Sequence, residues 1–259
     1  MSSSFFQAKD LTVRFGGLMA VDHLHFEIRQ GEILSLIGPN GAGKTTAFNA
    51  ITGFLSLSEG SIHFCGRNLI GLHPFQIASQ GLIRTFQQTS VFPEVTVEGC
   101  VLMGTHKSAE TGLFPVLFRS SRYRKKEGEV SEQVEKILAF TGLAGKANVL
   151  AKNLSYGEQR LLEIAVALAA VPKLLLLDEP VSGMNPEESR STMELILALR
   201  KQGITILLVE HDMRVVMDIS DRIVVLNYGK KIDEGSPKEV CENQEVIEAY
   251  LGKSLKCSL

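Results

Sequence analysis

Long apolar runs are missing from this chain: nowhere do its 259 residues approach the ~20 consecutive apolar positions that a bilayer-spanning helix needs. The first ten residues, MSSSFFQAKD, also lack the basic start and apolar stretch of a secretory signal. The expectation is therefore a cytosolic chain, able to dock on a membrane protein but not to cross the bilayer. Cysteine is scarce. Cys65, Cys100, Cys241 and Cys257 stand without C-x-x-C spacing, which fits neither a zinc site nor a disulfide framework and predicts reduced thiols. Charge of one sign is not in excess either, since the formal net charge is -2. A nucleic-acid or acidic-membrane partner would need a local basic patch. What is present is a 44% hydrophobic content and enough length for one large domain or two small ones.

Short apolar runs punctuate the sequence. EILSLI, KLLLLD, ITILLVE and RIVVLN are too short for buried helices and are flanked by Gly, Pro or charge, so they are predicted to be buried strands. Helices are expected between them. Leu161, Ile164, Ala165 and Leu168 share one helical face, and EESRSTMELILALRKQG places Met193, Ile196 and Leu197 on another before Gly203 ends it. Strands alternating with helices imply an α/β fold with a parallel sheet covered on both faces. LTVRF, LHFEIRQGE and GSIHFCG alternate differently and predict an antiparallel β-subdomain. Between Thr105 and Lys152 the chain turns polar and basic, FRSSRYRKKEGE, and then helical, EVSEQVEKILAFTGL, as an inserted helical subdomain would.

Three glycines and a lysine within GPNGAGKTT, directly after ILSLI, are costly in a chain that must fold alone, because glycine loses the most freedom on ordering. Gly38, Gly43, Lys44 and Thr45 match G-x-x-x-x-G-K-[ST], with a strand before and the helix TTAFNAITGF after. In that motif the amides of Gly38, Pro39, Asn40, Gly41, Ala42, Gly43, Lys44, Thr45 and Thr46 form the phosphate-binding turn and helix start, Pro39 lacking an amide proton. Lys44 would reach the β- and γ-phosphates, and the Thr45 hydroxyl would bind Mg²⁺. A second element, LLLLDEP, delivers adjacent carboxylates at a strand's carboxyl end, where open α/β sheets hold ligands. Asp178 would hold Mg²⁺ through water and Glu179 would orient or activate the attacking water; their opposite directions on an extended segment allow the two tasks.

Many NTPases share those two elements, and LSYGEQR is the segment that discriminates. Ser155 and Glu158 form an S-x-x-E capping box, which needs no ligand. The segment also resembles the LSGGQ signature of ATP-binding cassette (ABC) proteins, with Tyr156 for the usual glycine and Glu158 for the usual glutamine. The resemblance implies that Ser155, Tyr156, Gly157 and Glu158 meet the γ-phosphate of ATP held by an opposite subunit. It extends to Gln87 in RTFQQ, similar to the Q-loop residue that touches Mg²⁺ and water and senses the membrane partner; to His211 in VEHD, similar to the switch histidine; and to Phe15 in LTVRFGG, similar to the aromatic that stacks on adenine. Asn185 in SGMNPEE stands where the D-loop usually has Asp, and with Pro186 it also forms a helix N-cap pattern.

The order of these motifs implies a single ABC ATP-binding domain over residues 1–259. Its fold would be a P-loop NTPase (RecA-like) parallel-sheet core, with the antiparallel β-subdomain mainly within 1–70 and the helical subdomain and insert about 90–165. IGPNGAGKTTAFNAITGF, GLIRTFQQTSVFPEVTVEG, LDEPVSGMNP and the ending VIEAYLG together resemble the ATP-binding subunits of branched-chain amino acid importers. That implies ATP and Mg²⁺, a second ABC ATP-binding subunit (paralogue or self), two integral membrane permease subunits, a solute-binding protein reached indirectly, and a peripheral place on the inner face of the cell membrane. The basic stretch 113–127 would meet a membrane subunit, lipid head groups or solvent alone. Importers of urea, other amides or other amino acids share much of the pattern, and a soluble ABC scaffold, as in iron-sulfur cluster assembly, remains a different class. A DNA-maintenance ATPase is disfavoured, because no room exists for its long coiled coil, and no nucleic-acid partner is expected.

Overall fold

The computed structural model describes residues 5–85, 92–105 and 121–251, with the backbone alone at residues 121–127 and Leu251. In chain order the elements begin β1 (Phe6–Phe15), β2 (Leu18–Ile28), β3 (Ile33–Ile37), α1 (Lys44–Ile51), β4 (Glu59–Phe64), β5 (Arg67–Asn68), α2 (Pro74–Ser79) and β6 (Leu82–Arg84). The helices α3 (Val97–Gly104), α4 (Ser121–Phe140) and α5 (Tyr156–Ala169) follow, then β7 (Leu174–Asp178), α6 (Pro186–Lys201) and β8 (Thr205–Val209). The described chain closes with α7 (Met213–Ile219), β9 (Arg222–Asn227), β10 (Lys230–Gly235), α8 (Pro237–Glu242) and α9 (Gln244–Leu251). Two compact units divide it, one of residues 1–82, 173–179 and 196–259, the other of residues 83–172 and 180–195.

The first unit carries two sheets. An antiparallel one runs in the order β2-β1-β4-β5, and its alternating faces bury Phe6, Leu24, Phe26 and Phe64. The other has the order β10-β9-β3-β8-β7 within this unit. Here β3 pairs in parallel with β8 and β9, and β7 in parallel with β8, so the carboxyl ends of β3, β8 and β7 lie side by side. Every residue of β3, β7 and β8 is buried, as expected of strands covered on both faces. Each large aliphatic side chain among them contributes about 1.5–3 kcal/mol by leaving water. Glu32 and Arg222 pair at 2.9 Å, and the Asp221 carboxylate accepts from the Ile33 amide at 2.9 Å, fixing the entry of β3.

The antiparallel edge strand β10 stands outside the sequence expectation, because KKIDEG has no apolar run for a strand rule to find. Its marker is the turn: Tyr228 and Gly229 both have positive φ, +47° and +80°, as a two-residue hairpin between right-twisted strands requires. In the second unit α3, α4 and α5 enclose Val97, Val101, Val134, Leu138, Leu162 and Ala165. Helix α4 opens at Ser121, inside the basic stretch that precedes the apolar periodicity. Arginine, lysine and glutamate form helix well without burial, so the helix outruns its hydrophobic signal. Residues 113–120 of the basic stretch lie outside the described residues.

Candidate functional site: a phosphate loop and a capped helix

The turn after β3 is built for close backbone contact. A Cβ on Gly38 would fall 2.2 Å from the Leu226 carbonyl oxygen, and Gly43 has φ +102° with its Cβ position 2.5 Å from the Ala20 carbonyl oxygen. No other residue fits either place without moving backbone. The Ala42 amide donates to the Pro39 carbonyl at 3.1 Å, while the Ala42 carbonyl accepts from the Gly229 amide at 3.0 Å. Helix α1 starts at Lys44 with no side chain capping its amides and no acid in its first turn. Uncapped amides at a helix start suit an anion. Asn40, Gly41 and Thr45 are exposed, and Pro39 and Thr46 are half-buried.

Lys44 is buried, 6% exposed, and its Nζ donates to the carbonyls of Gly38 at 2.6 Å and Pro39 at 3.0 Å. Burial pushes its pKa down, against the pull of the Glu179 and Asp178 carboxylates. A cation held this way is costly in water-free surroundings and ready to exchange two neutral carbonyls for charged phosphate oxygens.

Asp178 ends β7 and is buried, but Glu179 does not continue an extended segment as the sequence reading expected: its φ is +51°, a left-handed conformation rare for a residue with a Cβ, so a turn and not strand alternation separates the two carboxylates. The Glu179 amide donates to the Val209 carbonyl at 2.8 Å, which locks that turn against the end of β8. His211, two residues beyond β8, brings Nε2 to 2.6 Å from Glu179 Oε1. The sequence gives no reason to pair those two side chains; the adjacency of β7 and β8 does. Glu210 was also unforeseen: it is buried, and its carboxylate accepts from the His211 amide at 2.9 Å. Phe15 is half exposed at the end of β1. Gln87 lies outside the described residues.

In the second unit the capping box is present. Ser155 Oγ accepts from the Glu158 amide at 3.3 Å, and the Glu158 carboxylate accepts from the Ser155 amide at 2.9 Å. Lys146 pairs with Glu158 at 2.9 Å and, ahead of the Ser155 contact, holds the carboxyl below its usual pKa range. The charge that replaces the usual glutamine thus arrives with its own counter-ion. Ser155→Ala is expected to destabilise the protein by about 1 kcal/mol through the lost cap, measurable by denaturant unfolding.

Tyr156 opens α5, and its hydroxyl accepts from Arg160 Nη2 at 2.9 Å. Arg160 reaches Glu163 at 3.0 Å, both side chains being under a tenth exposed. Burial pushes the Glu163 carboxyl up despite Arg160. Glu163→Ala leaves the guanidinium buried without its counter-charge and is expected to cost about 3–5 kcal/mol, read from the unfolding midpoint. A Cβ on Gly157 would fall 2.7 Å from Glu188 Oε1, so a larger residue there would have to push the Glu188 side chain aside. Asn185 caps α6 as its N-cap pattern implies: its Oδ1 accepts from the amides of Glu187 and Glu188, each at 3.0 Å.

A glycine cradle and buried lysine at a helix start, set at the carboxyl end of a parallel sheet next to an acidic strand end, define the P-loop NTPase class. Comparison with known proteins then narrows it. The ABC transporter family profile matches residues 21–182, and that for branched-chain amino acid ATP-binding cassette transporters matches residues 230–255. The chain belongs to the ABC transporter ATP-binding family. It is similar to the high-affinity branched-chain amino acid transport ATP-binding protein LivG of Salmonella typhimurium strain LT2, 46% identical over 255 residues, 98% of this chain and 100% of that protein. It is likewise similar to BraF of Pseudomonas aeruginosa, 41% identical over 255 residues with the same coverage. Among solved structures, a nucleotide-free ATP-binding cassette of an ABC transporter superposes with a TM-score of 0.84 at 31% identity, covering 97% of this chain and 100% of that one. An ATP-binding cassette of an ABC transporter in its ADP conformation gives the same figures. Among the described residues no helix is long and apolar enough to cross a membrane.

Proposed function

We propose that this chain is the ATP-hydrolysing subunit of an ABC importer for branched-chain amino acids, peripheral on the inner face of the cell membrane. The observation that carries the ATPase reading is Lys44, buried in the loop with the Glu179–His211 pair at the neighbouring strand ends. Full-length similarity to proteins named for branched-chain amino acid transport supports the solute.

Phosphoryl transfer asks mainly for positioning and charge stabilisation. Lys44 exchanges the Gly38 and Pro39 carbonyls for β- and γ-phosphate oxygens. Glu179 takes a proton from the water as its oxygen attacks the γ-phosphorus and the bond to the ADP oxygen breaks. His211 leaves or shares Glu179 to contact the γ-phosphate. Thr45, Asp178 and Gln87 would hold Mg²⁺, which supplies charge neutralisation on the phosphate oxygens; among the described residues no three His, Cys, Asp or Glu side chains form a cage for a metal on their own. Ser155, Tyr156, Gly157 and Glu158 of a second cassette would complete each site, and Phe15 would stack on adenine. Closure of the pair would then drive two permease subunits that receive solute from a solute-binding protein.

The test is uptake by proteoliposomes containing this chain, a second cassette, the permease subunits that co-purify with it and a solute-binding protein. ATP-driven accumulation of leucine, isoleucine or valine is expected. Accumulation of urea or another amide instead would reassign the solute, and a stable complex with soluble partners alone would overturn the transporter reading.

A further inference from the structure

Tyr250 stands near the end of α9, inside the carboxyl-terminal segment matched at residues 230–255. Its ring packs against a cluster containing Ile37, Val225, Val240 and Val246. Ile37 is the last residue of β3, directly before the phosphate loop. The Tyr250 hydroxyl is sealed from solvent, faces the backbone amide of Gly38, and completes no hydrogen bond of normal geometry. Burial pushes its pKa far up, so it stays a neutral phenol. An unsatisfied buried hydroxyl is costly unless another state of the site uses it.

Gly38 is the residue where such a partner matters. Its backbone has no slack against Leu226, and its carbonyl is held by Lys44 Nζ at 2.6 Å. If Lys44 moves to phosphate, the Gly38 peptide loses that restraint while the loop must keep its shape.

We propose that Tyr250 is a positioning residue for the phosphate loop: its hydroxyl accepts from the Gly38 amide in the nucleotide-loaded state, so helix α9 sets nucleotide affinity. This rests on the reading that nucleotide binds at residues 38–46. The geometry gives the carboxyl-terminal helix a role at the ATP site through one hydroxyl, distinct from the packing role of its apolar face.

The test is calorimetric binding of ADP to the full chain. Tyr250→Phe keeps the ring and is expected to weaken ADP about three- to tenfold, the effect of one lost neutral hydrogen bond, with the unfolding temperature without nucleotide not lowered, because the hydroxyl removed is buried and unpartnered there. In the assembled ATPase the KM for ATP should rise by the same factor with kcat unchanged. Val246→Ala, in the same helix and cluster, should lower the unfolding temperature and leave ADP affinity alone. Parental affinity in Tyr250→Phe while Lys44→Ala binds weakly overturns this inference only. A parental chain that binds ADP no better than Lys44→Ala overturns the nucleotide reading beneath it. Equal affinity losses in Tyr250→Phe and Val246→Ala reduce Tyr250 to packing.

Discussion

Glu179→Gln is expected to lower steady-state ATP turnover by about 10²–10⁴-fold, the usual contribution of a positioned general base. The substitution keeps the shape of the side chain and a hydrogen-bonding oxygen for His211, which approaches Glu179 Oε1 at 2.6 Å. It removes the capacity to take a proton from water. Nothing in the loop that holds phosphate changes, so ATP affinity should stay near parental, and with hydrolysis stalled the ATP-bound pair should accumulate. Phosphate release assays and filter binding on the purified subunit and its partner check both halves. The left-handed backbone at Glu179 sharpens the argument. A positive φ at a residue with a Cβ costs about 1–3 kcal/mol, and the turn is nonetheless held by the bond from its amide to Val209. Strain retained at a carboxylate that faces a histidine supports the role proposed for Glu179. Unchanged turnover in Glu179→Gln would remove the residue from the chemistry.

Lys44→Ala is expected to weaken ATP binding by about 10- to 100-fold, since each charge-assisted hydrogen bond lost to phosphate is worth about 1.5–3 kcal/mol. The fold should survive the change. The ammonium is buried, and its own pKa is driven down by that burial, so its removal relieves a desolvation cost along with two hydrogen bonds to loop carbonyls. Loss of binding with an unchanged unfolding temperature is therefore the signature of a ligand contact. Normal affinity would reject the assignment of the phosphates to this loop.

Much of this arrangement was legible in the amino-acid order because its signals are local. ILSLI, LLLLD, TILLV and RIVVLN are strands because nothing but burial suits runs that short, and GPNGAGKTT carries its own context of strand and helix. The capping box at Ser155 and Glu158 and the Asn185 cap are likewise properties of four adjacent residues. What escaped depends on neighbours distant in sequence. Lys146 meets Glu158, His211 meets Glu179, and Tyr250 reaches Gly38 only because strands and helices bring them together. The edge strand β10 escaped for another reason: half-exposed and charged, it has no apolar period, and only the Tyr228–Gly229 turn betrays it. The residues that depart from the usual motif, Tyr156 and Glu158, find polar partners in Arg160 and Lys146 that spacing does not reveal.

A structure of the Glu179→Gln chain with its partner cassette and Mg-ATP bears most directly on the clamp. With this chain's loop holding ATP, the account predicts the partner's signature helix start at the γ-phosphate. With ATP in the partner's loop, it predicts Ser155 Oγ and the Gly157 amide of this chain within about 3.5 Å of γ-phosphate oxygens, hydrogen-bond reach. Residues 154–158 remote from every phosphate in that assembled pair would contradict it.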